Sequence, residues 1–191
     1  MNNNCIYGIN GPVVTIKGAT DFSMMEMVYV GDEKLVGEII GINSDFTTVQ
    51  VYEDTTGLKP GDPIVGTGAP MNVLLGPGIL NNIFDGIERP LSEIEKTDGA
   101  FISRGSQVSA LDTEKLWDVT LTVKVGATLN GGEIDATLPE TDIISHKCMV
   151  PPLLSGKVTY VAKSGSYKLF DTIVKLEDEN GTVHELSLCQ K

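Results

Sequence analysis

The residues able to do chemistry in this chain are few and poorly spaced for it. Its two histidines are His146 and His184, and its two arginines are Arg89 and Arg104. The run His146-Lys147-Cys148 puts an imidazole and a thiol at i and i+2, on one face of a strand. No second cluster completes a tetrahedral metal set, so a histidine beside a buried cysteine is the expected reading, ahead of an enzyme built on the pair. A phosphate-binding loop needs a glycine, four residues, then Gly-Lys-Ser/Thr, so that consecutive backbone N–H groups and the lysine wrap the phosphates. The only Gly-Lys is Gly156-Lys157, with Val158 after it and Pro151 in place of the first glycine. Gly66-Thr67-Gly68 and Gly76-Pro77-Gly78 lack the third glycine of a dinucleotide fingerprint, and Pro77 removes a donor. Ser106, Ser109 and Ser164 lack the strand-turn-helix setting of a nucleophile elbow. The carboxylate pairs Glu53-Asp54 and Asp178-Glu179 flank turns and read as solvated.

The elements that position these residues are short strands. Residues 1–67 contain CIYGI, VVTIKG, MVYVG, LVGEIIGI, FTTVQVY and PIVGTG, several of them alternating, as Val49 and Val51 do against Thr48, Gln50 and Tyr52. Half-buried strands at such close spacing predict a small six-stranded closed barrel. The turns between them, Val30-Gly31-Asp32, Asn43-Ser44-Asp45 and Pro60-Gly61-Asp62-Pro63, use residues that supply a positive or fixed φ. From about 68 to 110 the periodicity weakens. Helix candidates there are Leu80–Asp85, with Gly86 as C-cap, and Ser92–Lys96. Strands return in WDVTLTVKVG, EIDATL, HKCMV, GKVTYVA, DTIVKLE and VHELSL. Asn180-Gly181, between the last two, predicts a type I′ hairpin turn. It also makes Asn180-Gly181-Thr182 a formal glycosylation sequon, which the turn reading outranks because no secretory signal is present. The organisation expected is a barrel over 1–68, a connecting segment over 69–110 and a second β-rich domain over 111–191.

The chain has 191 residues and a net charge of -12. Residues 1–109 hold six Lys/Arg against fourteen Asp/Glu. Duplex nucleic acid and anionic membrane surface are excluded as partners, because neither finds a basic footprint. No apolar run approaches the ~20 residues that span a bilayer. Cys5, Cys148 and Cys189 fit no zinc or redox spacing and read as reduced thiols of a cytoplasmic protein. Trp117, the only tryptophan, reads as buried at a domain edge. Arg89 and Arg104, set among Glu88, Glu93, Glu95 and Asp98, could hold carboxylates bidentately, within the chain or on a neighbouring protein of an assembly.

The segment VGTGAPMNVLLGPGILNNIFDGIERPL resembles the junction of rotary ATPase catalytic-type subunits, in particular the A subunits of V-type and archaeal-type ATP synthases. The matching positions are Thr67-Gly68, Pro70, Val73, Gly76 and Leu80, then Phe84-Asp85-Gly86-Ile87 with Arg89-Pro90-Leu91. GEIIGINSDFTTVQVYEDTTGLKPGDPI, RGSQVSALDTEKLW and PETDIISHKCMVPPLLSGKV extend the likeness. The last two fall in the bulge, or non-homologous region, of those subunits.

The resemblance implies a mainly β chain: an N-terminal crown barrel followed by a bulge domain similar to the barrel-sandwich hybrids of biotinyl and lipoyl carriers. It implies the non-catalytic N-terminal portion of an A subunit. The phosphate loop and general-base glutamate have no counterpart here, so no catalytic, cofactor or metal residue is carried over, and ATP and Mg belong to the complete protein. Implied partners are the B subunits of an A3B3 ring and the peripheral stalk, in a cytoplasmic assembly peripheral to the membrane. Ring contacts are expected at the barrel turns, Asp32, Glu33, Glu53 and Asp54. Stalk contacts are expected at the hairpins around Asn130-Gly131-Gly132 and Ser164-Gly165-Ser166. Arg89 is read as a clamp at the junction, with Arg104 a second subunit-contact candidate. The rival reading is a free-standing biotinyl- or lipoyl-like carrier modified on Lys147 or Lys157, or a small-molecule binding module, although the lysine of the usual Met-Lys tip is missing at Cys148-Met149-Val150.

Overall fold

A computed structural model describes residues 4–18, 20–80, 82–99 and 101–190. The chain divides into two compact units, Met1–Asn72 with Ile94–Gln107, and Val73–Glu93 with Val108–Lys191. Residues 69–110 are thus shared between the units. No helix among the described residues is long and apolar enough to cross a membrane.

The first unit holds strands β1 (Ile6–Asn10), β2 (Val13–Lys17), β3 (Glu26–Val30), β4 (Leu35–Ile42), β5 (Phe46–Val51) and β6 (Ile64–Pro70), which coincide with the six apolar runs of the sequence. They pair antiparallel in the order β1-β2-β5-β4-β3-β6. The ends meet through a Cys5–Pro63 bridge, with Ile6 N–H donating to the Asp62 carbonyl at 2.9 Å and Ile64 N–H to that of Asn4 at 2.8 Å. That closure removes the sheet edge. Alternation places Val14, Ile16, Val28, Val30, Leu35, Ile39, Val49 and Val51 inside, with Ile6 and Ile64 completing the core. The turns follow the expected chemistry. Asn43 Oδ1 accepts from the N–H groups of Asp45 and Phe46 at 2.9 and 2.8 Å, and Gly61 supplies a φ of 98°.

One helix, α1 (Leu91–Asp98), covers the second of the two candidate segments. It starts after Pro90 and ends at Gly99, whose φ is 81° and whose N–H reaches the Glu95 carbonyl at 3.0 Å. The C-cap glycine is therefore Gly99 and not Gly86. The described residues of the other candidate stretch, Leu80–Asp85, form no helix, Asn81 lying outside the described residues. The Asp85 carboxylate takes the N–H groups of Ile87 and Arg89 at 3.1 and 2.9 Å, the local competition by which aspartate favours a turn. Leu91 N–H then bonds the Ile83 carbonyl, and Phe84 bridges Pro90.

The second unit is built of β7 (Trp117–Leu121), β8 (Thr128–Leu129), β9 (Ile134–Pro139), β10 (Ser145–Met149), β11 (Gly156–Val161), β12 (Gly165–Tyr167), β13 (Val174–Glu177) and β14 (Val183–Leu186). They form two four-stranded antiparallel sheets, β10-β9-β7-β12 and β14-β13-β11-β8. A shared core holds Leu111, Trp117, Val119, Leu138, Cys148, Val150, Val158, Leu169, Ile173 and Leu176 among others. The short β8 and β12 carry no apolar alternation, so periodicity does not reveal them. The β13–β14 hairpin exists, but its turn is not type I′. Of Asn180 and Gly181 only the glycine has a positive φ, 79°, and Gly181 N–H bonds the Asp178 carbonyl at 3.0 Å. The Asp178 carboxylate takes the Asn180 and Thr182 N–H groups, both at 2.9 Å, and this side-chain capture sets the longer turn.

Candidate functional site

Three of the four charged barrel-turn residues gather around one arginine of the same unit. Glu33 lies in the β3–β4 turn, and Glu53 and Asp54 follow β5. Arg104 Nη2 stands 3.2 Å from Glu33 Oε1, while Nη1 donates to the Thr56 carbonyl and lies 3.5 Å from that of Asp54. Glu53 Oε2 accepts from Gly105 N–H at 2.9 Å. Gly105 has a φ of 64°, and a β-carbon there would collide with the Glu33 carbonyl. The Asp54 carboxylate is held below its ordinary range by the Thr56 hydroxyl and then the Thr56 N–H. Asp32 stays exposed, at the rim of a cavity of about 310 Å³ lined by Tyr29, Gly31, Lys34, Pro63, Val65 and Gln107.

A buried carboxylate explains the first glycine pair. Glu26, 5 % exposed, accepts from Ser23 N–H at 2.8 Å and Gly68 N–H at 2.9 Å. A β-carbon on Gly66 would run into that carboxylate and stand 2.7 Å from the Phe22 ring. The Gly-Thr-Gly stretch is a wall shaped around an acid, not an anion loop.

The second pair, Gly76-Pro77-Gly78, packs inside the other unit. A β-carbon on Gly76 would come within 2.9 Å of Cys189 Cβ, and one on Gly78 within 3.4 Å of the Trp117 ring. Leu75 and Gln190 exchange backbone hydrogen bonds of 2.8 and 2.7 Å. Glu140 Oε1 accepts from the N–H groups of Gly78 and Leu80 at 2.8 and 3.2 Å. Its Oε2 faces His146 Nδ1 at 2.9 Å. Burial alone would push the Glu140 carboxyl up. The Gly78 N–H, the His146 ring and the Leu80 N–H together outweigh it and hold the group below its ordinary range. Further along, Arg89 Nε pairs with Asp85 Oδ2 at 2.7 Å, both side chains less than a fifth exposed. Asp85 is likewise lowered, its burial outweighed by the backbone and side chain of Arg89 and the Ile87 N–H.

The structure brings His146 and Cys148 to one strand without making them a catalytic pair. His146 is engaged by Glu140, and the Cys148 thiol is pushed up to about 12 by burial and by nearby Asp135 and Cys189. A thiol so far from ionising is a poor nucleophile. All three cysteines are free. His184 Nε2 stands 3.0 Å from Asp178 Oδ2. Among the described residues, no group of three or more His, Cys, Asp or Glu is placed to hold a metal ion.

At the expected stalk hairpins, Asn130 donates its N–H to Glu133 Oε2 at 2.8 Å, and Gly131 lies so close to the Pro152 carbonyl that no β-carbon fits. Ser164 Oγ accepts from Leu121 N–H at 3.3 Å, and Gly165 pairs with Val119 as part of β12. Ser164 and Gly165 are both exposed. Motifs and spacing do not single out Glu26, Asp135 or Glu140. For Glu26 a signal exists, since it is an acid at an inward position of the alternating strand EMVYV; Asp135 alternates with Ile134, Ala136 and Leu138 in EIDATL and so reads as outward.

Two family models match in chain order. The ATP synthase alpha/beta family β-barrel domain matches residues 6–68, and the ATP synthase alpha/beta subunit barrel-sandwich domain matches residues 108–191. The A subunit of the A-type ATP synthase of Methanopyrus kandleri is 51 % identical over 97 % of this chain and 31 % of its own length. The V-type ATP synthase alpha chain of Halothermothrix orenii is 48 % identical over 96 % of this chain and 31 % of its own length, and that of a Thermoanaerobacter species is 44 % identical over the whole chain and 32 % of its own length. The chain spans about a third of the length of these curated relatives. A closed barrel, a barrel-sandwich and these matches over both place the chain in the ATP synthase alpha/beta family, among the A subunits of the V-type and archaeal-type synthases.

Proposed function

We propose that this chain is the non-catalytic barrel and bulge portion of a V/A-type A subunit, assembling a ring with B subunits and meeting a peripheral stalk. The observation that carries the reading is the succession of two matched domains, over residues 6–68 and 108–191, with about half identity to an A-subunit relative over 97 % of the chain. A closed barrel has no free sheet edge, so it contacts neighbours through side chains and turns and keeps its shape under load. Of the four barrel-turn acids, Asp32 is the one left at an open cavity rim and is the preferred ring contact, while Glu33, Glu53 and Asp54 brace Arg104. Arg89 holds the junction loop in shape through Asp85. Asn130, Gly131, Ser164 and Gly165 mark the stalk-facing side. In the cell the assembly sits in the cytoplasm against the membrane sector.

ATP and Mg bind the complete protein, and the described residues of this chain do not fit them. Gly156-Lys157 lies in strand β11, where Gly156 is closed off by the Glu177 carbonyl and Lys157 pairs with Glu177, so no loop of N–H groups is offered. The carrier reading loses support for the same reason. Lys147 and Lys157 both lie within paired strands, not at a hairpin tip.

The test is co-purification of the chain with a B subunit, read by light scattering. Asp32→Arg should weaken the complex at least tenfold while leaving the isolated chain's melting temperature in place. Equal binding by wild type and variant rules out the Asp32 contact, and no complex with wild type rules out the ring role.

A further inference from the structure

One acid in the barrel-sandwich unit takes no part in the junction loop or the expected stalk contacts. Asp135 is the odd residue of a β-bulge: Cys148 pairs with Ala136 and Met149 with Ile134, which leaves Asp135 unpaired between them. The bulge turns two successive residues, Asp135 and Ala136, to the buried side. Asp135 is 1 % exposed, and its Oδ1 has no hydrogen-bond partner. Its backbone carbonyl accepts from Thr122 N–H at 2.9 Å, so β9 stays tied to the chain leaving β7 while the β10 side carries the irregularity.

We propose that Asp135 is a proton-operated latch of the barrel-sandwich domain: protonated, it sits in the core as a neutral residue beneath the β9–β10 bulge, and ionised, it loosens that ladder. Burial pushes its carboxyl from 3.8 to about 6, and the N–H groups of Asp135 and Ala136 offset only part of this. The titratable group facing it from β10 is Cys148, with Cys189, after β14, close enough to act on Cys148. From the β7 side come Leu121 and Thr122, which carry no charge. No cation contributes to holding Asp135 ionised.

The sign follows from linkage. A carboxyl raised in the folded state binds its proton more tightly than in the unfolded chain. Its stabilisation is therefore complete below about pH 3.8, declines as pH rises towards 6 and is gone above that. The move from 3.8 to about 6 corresponds to roughly 100-fold in the folding equilibrium. Mild acidification near pH 6 tightens this domain while the surface carboxylates stay charged.

The experiment is urea unfolding of the full chain followed by Trp117 emission, from pH 4.5 to 8, for wild type and Asp135→Asn. The variant should be more stable at pH 8 by up to roughly 100-fold in the equilibrium constant, and the gap should stay level down to about pH 6 and shrink below it. Parallel profiles overturn the proposal. Because the amide could pack poorly, the wild-type Asp135 carboxyl carbon shift is titrated by NMR as well. A midpoint near 6 supports the latch, and one at or below 4 overturns it.

Discussion

Glu140 and His146 face each other at 2.9 Å across the β9–β10 hairpin, and the other oxygen of the same carboxylate holds the backbone of the Gly78–Leu80 loop. A single side chain, 4 % exposed, thereby joins the glycine-rich junction to the barrel-sandwich sheet. The described residues of the junction loop hold no helix to stiffen it, so its shape depends on such captures. Glu140→Ala should destabilise the unit by about 3 kcal/mol, since the Gly78 N–H and the ring lose a charged acceptor in a buried place. Because the Glu140 carboxyl is lowered on folding, its contribution is present above its unfolded range and is lost as pH falls through the folded value. The gap between wild type and Glu140→Ala in thermal melts should close towards acid pH, with the wild type the more stable of the two, whereas for Asp135→Asn the variant is the more stable.

Asp85 supports the Ile83–Leu91 turn with three contacts, from Ile87 N–H, Arg89 N–H and Arg89 Nε. Asp85→Ala should cost about 2–3 kcal/mol, since charged acceptors of backbone N–H groups are the stronger kind. Arg89→Lys should cost less but not be neutral, because an ammonium cannot reproduce the Nε geometry. Chemical denaturation monitored by Trp117 emission checks the order of the two.

Gly66 and Gly68 should respond to alanine for different reasons. At Gly66 a methyl group meets Glu26 and the Phe22 ring, an overpacking that should cost about 1–3 kcal/mol. At Gly68 the space is open but φ is 76°, so the cost should be about 1 kcal/mol and purely conformational. Shortening the acid with Glu26→Asp should relieve part of the Gly66→Ala penalty and none of the Gly68→Ala penalty. A double-mutant cycle on melting temperature would detect the coupling.

Arg104 is exposed and paired with Glu33, the setting in which an ion pair adds little to global stability. Arg104→Ala should leave the barrel's melting temperature unchanged within error while raising proteolytic cutting between residues 99 and 107. Cutting at the wild-type rate would show that Gly105 and Glu53 suffice to hold the segment.

Local rules were enough for much of this chain. The six barrel strands could be read because several of the short apolar runs alternate and the gaps carry turn chemistry, a signal internal to the segment. Motif order likewise carried the family, since glycines and prolines in fixed sequence mark where the backbone must turn. Other features needed the fold. The helix settled on Leu91–Asp98, after a turn in which the Asp85 carboxylate captures the Ile87 and Arg89 N–H groups. The strands β8 and β12 exist only as partners of β11 and β7, with too few residues to show a period. Glu26, Asp135 and Glu140 could be named as acids from the sequence, but their burial and partners come from residues 42, 13 and 62 positions away in the cases of Gly68, Cys148 and Gly78. Type and spacing decide what a segment can form alone. Which polar group is withdrawn from water, and which donors meet it there, is decided only when distant segments close over it.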